Sequence, residues 1–126
     1  GMYCTATMRY PGDLRCVFYT GVTGLRRFDE RLTCYAPERI VEIAFPSPFL
    51  KSAPTMVTVA ENRDGAYHED VITASYHEAF KEELVHFHDC IVNGSTPRTD
   101  VGIGREDTAL LLQLVHEYRS RRGGTQ

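Results

Sequence analysis

The chain has 126 residues, with a hydrophobic fraction of 42% and a charged fraction of 25%, which is ordinary for a globular protein. Its formal net charge of -3 gives no electrostatic reason to bind a phosphate backbone, so nucleic acid is not an expected partner. No apolar run approaches the ~18 residues that a membrane span requires, and no charged-then-apolar leader opens the chain, so we expect a cytoplasmic protein without membrane contact.

The N-terminal part carries two β-rich runs. Tyr3 to Tyr10 and Leu14 to Thr20 are separated by Pro11-Gly12-Asp13, which predicts a hairpin. Side chains alternate along a strand, so Arg15 and Tyr19 should share one face of the second run. The pattern therefore predicts a hairpin with polar and amphipathic groups on one side.

Further strand patterns follow up to residue 76. The Asp64-Gly65 pair tolerates the positive φ of a tight hairpin, so a turn is predicted there. The three prolines between residues 45 and 54 exclude an interior strand in that segment. The remaining predicted strands are Arg26 to Tyr35, Ile40 to Phe45, Met56 to Glu61 and Tyr67 to Tyr76. In the first of these, Arg31 and Tyr35 lie on one side and Leu32 and Cys34 on the other.

Two amphipathic helices are predicted between Glu78 and Tyr118. Gly94 should stop the first helix, and Thr99 or Asp100 should cap the second. The apolar stripes are Phe80, Leu84, Phe87 and Ile91, then Leu111, Leu114, Val115 and Tyr118. Strands followed by helices favour an α+β fold, an antiparallel sheet of about six strands with both helices packed on one face.

The other face of this sheet would remain apolar. It would carry Val17, Tyr19, Tyr35 and some of the valines and isoleucines of the later strands, which is more apolar surface than a solvated sheet normally shows. We expect a second protein surface to cover it, either in a homodimer or from a missing partner domain.

The length predicts a single domain, from Tyr3 to Arg122. Gly1-Met2 is interpreted as the remnant of a purification tag and a start residue, and residues 123–126 as a flexible tail. The natural chain is therefore expected to be longer.

The cysteines show no Cys-x-x-Cys pair, which favours reduced, buried thiols over disulfides or metal ligands; they are Cys4, Cys16, Cys34 and Cys90. His86 and His88 point in different directions on a helix, and Glu82 with His86 supplies only two ligands, so no metal site is expected. No nucleophile or catalytic residue stands out.

Several segments, taken in order, resemble the C-terminal domain of the glucose-fructose oxidoreductase, inositol dehydrogenase and rhizopine-catabolism family (Gfo/Idh/MocA). The first two are Phe28 to Tyr35 and the loop Phe45 to Leu50 with Ala53-Pro54-Thr55. The third is Phe80-x-x-Glu83-Leu84-x-x-Phe87-x-x-Cys90-Ile91-x-Asn93-Gly94-x-x-Pro97 followed by Asp100 and a leucine-rich helix, which is similar to the family's closing helix pair.

The resemblance implies a parent enzyme with an N-terminal Rossmann domain that binds NAD or NADP. It implies hydride transfer to or from a sugar or cyclitol hydroxyl carbon, and a C-terminal sheet that lines the substrate cleft and supports dimers through its open face. The family's Glu-Lys-Pro motif has no counterpart here. Asp64-x-x-x-His68 has the spacing of the family's Asp-x-x-x-His motif but lies in a late hairpin, so the role is not carried over.

We therefore expect the substrate-side and dimerisation domain of an NAD(P)-dependent oxidoreductase, with no cofactor or catalytic site of its own. The alternative is a stand-alone α+β module that binds a small ligand. Arg15, Tyr19 and Arg31 are the predicted substrate-facing residues, and all three could equally be dimer contacts.

Overall fold

The computed structural model describes residues 2–123, and the side chains of residues 3–121. The chain folds as two compact units. The hairpin unit combines the N-terminal segment up to Arg26 with the C-terminal segment from Thr96, and the sheet unit is Arg27–Ser95. The predicted tag remnant Gly1 and the predicted tail, apart from Gly123, lie outside the described residues.

The hairpin unit opens with two antiparallel strands, β1 (Met2–Arg9) and β2 (Arg15–Val22). They pair one to one along their full length, without a bulge. A 3-10 turn, Pro11–Asp13, connects them, and Gly12 takes the left-handed conformation there with φ 76°. The predicted hairpin is therefore confirmed.

The hairpin unit ends with helix α2 (Val101–Gly123). The backbone amide of Ile103 donates to the Asp100 Oδ1 atom at 2.9 Å, which satisfies one of the amides that a helix start leaves without a partner. Of the two predicted caps, Asp100 is the one that the structure uses.

The sheet unit is an antiparallel meander in the order β3-β4-β5-β6. The strands are β3 (Glu30–Ala36), β4 (Arg39–Phe45), β5 (Thr55–Arg63) and β6 (Ala66–Ser75). Asp64 and Gly65 both have positive φ, 53° and 78°, as expected for the tight turn between β5 and β6.

Helix α1 (Ala79–Asn93) closes the sheet unit. It stops at Gly94, whose φ of 63° is left-handed and whose amide donates to the Cys90 carbonyl. The predicted stop is confirmed.

The chain is α+β, but the expected single sheet of about six strands is wrong. The strands form one two-stranded and one four-stranded antiparallel sheet. Alternation along a strand fixes which residues share a face, but it does not fix which edges pair. The two helices also belong to different units, α1 to the sheet unit and α2 to the hairpin unit.

The register assigns two faces to the four-stranded sheet, because residues directly opposite in a ladder share a face. The face that we call the Tyr35 face carries Arg31, Thr33, Tyr35, Ile40, Glu42, Ala44, Met56, Thr58, Ala60, Tyr67, Glu69 and Val71. The face that we call the Val57 face carries Leu32, Cys34, Arg39, Val41, Ile43, Val57, Val59, Glu61, Arg63, His68, Asp70 and Ile72.

The expected burial of the helix stripes is not observed. In α1, Leu84 is 69% and Ile91 67% exposed, and in α2 Leu111 and Val115 are exposed as well. Among the side chains of residues 3–121, Cys90 is the one buried hydrophobic group, at 5% exposure. The apolar periodicity predicted the helices correctly, but in the part of the chain that the structure describes their stripes remain largely exposed.

All four cysteines are free thiols. The expectation that they are small buried hydrophobes holds only for Cys90, since Cys34 is exposed and Cys4 and Cys16 are half-buried. Cys34 lies on the Val57 face of the edge strand β3, where Leu32 is exposed as well.

Candidate functional site

Arg15 and Tyr19 lie together on the outer face of β2, as the alternation predicted. Their directly opposite residues on β1 are Arg9 and Thr5, and both Arg15 and Tyr19 are exposed. The hairpin therefore presents two arginines side by side at the end next to its turn.

The spacing within this arginine pair follows from the turn. The amide of Tyr10 donates to the carbonyl of Leu14 at 2.9 Å, so Tyr10 and Leu14 form a hydrogen-bonded pair. Hydrogen-bonded and non-hydrogen-bonded pairs alternate in an antiparallel ladder, which makes Arg9 and Arg15 a non-hydrogen-bonded pair. In such a pair the Cα atoms approach to about 4.5 Å and the side chains are closest.

Arg31, the third predicted site residue, belongs to the sheet unit and is held in an ion-pair network. Its Nε donates to Asp29 Oδ1 at 2.9 Å and its Nη1 to Glu42 Oε1 at 3.3 Å. The hydrogen bond and charge of Arg31 lower the pKa of Asp29, and Asp29 in turn raises the pKa of Arg31. Arg31 thus orients neighbouring carboxylates on the Tyr35 face, and only part of its guanidinium is available to a ligand or partner.

A second network lies on the Val57 face, around Glu61. Arg39 and Arg63 each donate from Nε to one carboxylate oxygen of Glu61 at 2.5 Å, and Arg63 Nη2 reaches Asp70 Oδ2 at 2.7 Å. Hydrogen bonds from Arg63, and then from Arg39, lower the pKa of Glu61. The Glu61 side chain is 12% exposed, which makes it the most enclosed carboxylate in the ion pairs of the described residues.

His68 and Asp70 share one face of β6, where cross-strand polar pairing is the ordinary role of such residues. Asp70 makes such a contact, with Arg63 of the neighbouring strand. Within β6 itself, the Tyr67 hydroxyl donates to Glu69 Oε2 at 2.6 Å, and this hydrogen bond raises the pKa of Tyr67. These contacts stabilise the sheet and do not converge on a reacting centre.

The sheet unit also contains an open cleft of about 210 Å³ near the start of α1. Its lining includes Glu30, Phe45, Pro46, Leu50, His77 and Glu78. The proline-rich loop after β4 forms one wall, and Phe49 of that loop packs against Phe80 of α1 with ring centroids 5.5 Å apart. From the sequence, the loop and the helix start are predicted only as separate segments, because no local pattern encodes the contact between them.

His77 lies at the rim of the cleft and reaches Glu82 Oε1 from Nδ1 at 3.3 Å, while its backbone amide donates to Ser75 Oγ. His86 lies within 3.7 Å of the Cys90 sulfur through Nε2. Among the side chains of residues 3–121, no three of His, Cys, Asp or Glu are grouped so that they could hold a metal ion. Neither described helix has the length and apolar character of a membrane span.

No protein-family model, curated protein or solved structure matches this chain.

Proposed function

We propose that the chain is the substrate-side and dimerisation domain of an NAD(P)-dependent oxidoreductase that acts on a sugar or cyclitol-like alcohol. The proposal rests on the ordered resemblance described above, from Phe28 to the leucine-rich second helix. In this proposal the nucleotide-binding domain belongs to the parent protein, and the present chain is inactive alone.

The observation that carries the proposal is the exposure of the Tyr35 face. Tyr35 is 79% exposed, and Ile40, Tyr67 and Val71 on the same face are exposed too. Aromatic and aliphatic side chains exposed on this scale on a sheet face favour a protein partner over solvent. A second copy of the chain, related by a two-fold axis, would place this face against itself.

The chemistry of the described side chains fits a domain without its own reaction centre. The carboxylates with lowered pKa, Asp29 and Glu61, are both neutralised by arginines, as in structural ion pairs. A general base would instead need a pKa near the working pH.

Two measurements test this proposal. NADH and NADPH titrated against the chain should show no saturable binding, whereas a micromolar dissociation constant would contradict it. Sedimentation velocity over a concentration series should show reversible dimerisation, and a monomer at the highest concentration would contradict the dimer half.

The cleft beside α1 favours a second candidate function, a stand-alone module that binds a small ligand. Its lining combines Phe45, Pro46 and Leu50 with the polar groups of Glu30 and Glu78, a mixture of apolar and polar groups that small-ligand pockets commonly have. The coding sequence upstream of Met2 separates the two candidates: a glycine-rich strand-turn-helix unit supports the oxidoreductase, and a stop codon supports the module.

A further inference from the structure

The outer face of the hairpin contains an uncompensated pair of like charges. Arg9 and Arg15 are directly opposite each other and exposed, and among the described residues no carboxylate pairs with either of them. Like charges directly opposite in a sheet destabilise it. By contrast, the arginines of the Glu61 and Asp29 networks all have acidic partners.

We propose that Arg9 and Arg15 together bind the phosphate or carboxylate group of a small polyhydroxy ligand. Two guanidinium groups side by side offer planar forks of N–H donors, the geometry that recognises carboxylate and phosphate oxygens bidentately. An oxyanion between them converts a repulsive pair into two attractive contacts. The proposal deepens the function given above and rests on it for the polyol part of the ligand.

The same face supplies groups for the body of such a ligand. The ladder places Thr7 opposite Val17, and Thr5 opposite Tyr19, on the face that carries the arginine pair. From the turn outward, this face first carries the charges of Arg9 and Arg15. Apolar Val17 with the Thr7 hydroxyl follows, and then the Tyr19 ring with the Thr5 hydroxyl. Hydroxyls that donate and accept, next to an exposed ring, suit a sugar or cyclitol attached to the anion.

The proposal fits the position of the arginine pair at the hairpin end. The Pro11–Asp13 turn with its left-handed Gly12 fixes the register, so Arg9 and Arg15 are equidistant from the turn and cannot slide apart without breaking the ladder. The two charges are thus placed before a ligand arrives.

The test titrates glucose 6-phosphate, gluconate and glucose against the isotope-labelled chain, and follows backbone amide and arginine Nε–Hε signals by NMR. Saturable shifts at Arg9 and Arg15 with at least one of the two anions, and none with glucose, are expected. Binding of the phosphate alone or of the carboxylate alone identifies the oxyanion. Arg9→Gln and Arg15→Gln should each weaken binding by about twofold to fivefold, as for exposed charge pairs.

Arg105→Gln is the matched control, since Arg105 is an exposed arginine on α2 of the same unit. An equal loss in Arg105→Gln, or no saturable shift with either anion, overturns the proposal. Inorganic phosphate is titrated as a fourth probe, and if it binds as tightly as glucose 6-phosphate, the polyol part is overturned. None of these results bears on dimerisation or on the absence of nicotinamide binding, which the earlier measurements test separately.

The melting temperature provides an independent readout. Because the arginine pair is repulsive without a ligand, Arg15→Gln should leave the melting temperature of the free chain unchanged or raise it. A clear fall would mean that Arg15 has a stabilising partner in the fold, and it would contradict the proposal.

Discussion

Arg39 of β4 and Glu61 of β5 are direct cross-strand neighbours, and the arginine Nε donates to Glu61 Oε2 at 2.5 Å. Since Arg63 and Arg39 lower the pKa of Glu61 below its ordinary 4.5, the folded state favours the ionised carboxylate. The resulting stability is fully present above the unfolded pKa and is lost as the pH falls through the folded pKa.

We therefore expect Glu61→Gln to be less stable than the wild type at pH 7. The difference should begin to shrink below about pH 4.5, where the carboxylate of the unfolded wild type gains its proton, and should vanish once the pH falls below the lowered folded-state pKa. Urea unfolding at several pH values measures this difference. Glu83→Gln, the same change at an exposed position of α1, is the control. If the free energies of unfolding of the wild type and of Glu61→Gln fall in parallel as the pH is lowered, ionised Glu61 is not a source of stability.

Val71 and Ile72 are neighbours on β6 but belong to opposite faces of the sheet. If the Tyr35 face forms the dimer, Val71→Lys should raise the dimer dissociation constant by about tenfold or more, because it places a charge in an apolar contact. Ile72→Lys, on the Val57 face, should leave the dimer intact. Val71 is 62% and Ile72 49% exposed, so the two substitutions are comparable in accessibility.

Sedimentation equilibrium measures the association of both variants, and circular dichroism checks that each is folded. If Val71→Lys associates as the wild type does, or if only Ile72→Lys loses the dimer, the interface does not lie on the Tyr35 face.

Asp100 caps α2 through the Ile103 amide. Replacing Asp100 by alanine should lower the free energy of unfolding by about 1 kcal/mol, since it leaves an amide of the first turn without its acceptor. Asp100→Asn keeps an acceptor oxygen and should cost less. Thr99→Ala should be nearly neutral, and a larger effect at Thr99 than at Asp100 in chemical denaturation would show that the cap is misassigned.

The thiols should differ in reactivity according to their exposure. Cys34 is exposed and Cys90 is 5% exposed, so an alkylating reagent should modify Cys34 first and Cys90 only after unfolding. Mass spectrometry of peptides from a time course of labelling gives the order. Labelling of Cys90 as fast as Cys34 under native conditions would mean that the last turns of α1 open readily.

Local signals in this sequence were sufficient to predict local structure. The Gly94 stop, the Asp100 cap and the Asp64-Gly65 turn each depend on a few neighbouring residues, and the structure contains all three. The division of the strands into two sheets could not be predicted, because strand pairing depends on contacts between residues far apart in sequence.

The candidate sites also divide into local features that the sequence predicts and long-range contacts that it does not. Arg15 and Tyr19 were placed on one face by alternation alone, and counting outward from the Pro11–Asp13 turn would also have paired Arg15 with Arg9. The cleft beside α1 and the carboxylate network of Glu61 combine segments separated by many residues. The apolar periodicity within one segment does not predict contacts between distant segments.

The small share of enclosed side chains has a consequence for stability in the proposed dimer. Cys90 is the one buried hydrophobic group among residues 3–121, so little apolar area is removed from water within the described part of the chain. The hydrogen bonds of the strand ladders are therefore a large part of what stabilises the fold. Any surface that covers the exposed side chains adds its binding free energy to the folded state by mass action. If a second copy of the chain covers these side chains, as proposed, thermal unfolding includes dissociation, and the melting temperature should rise with protein concentration.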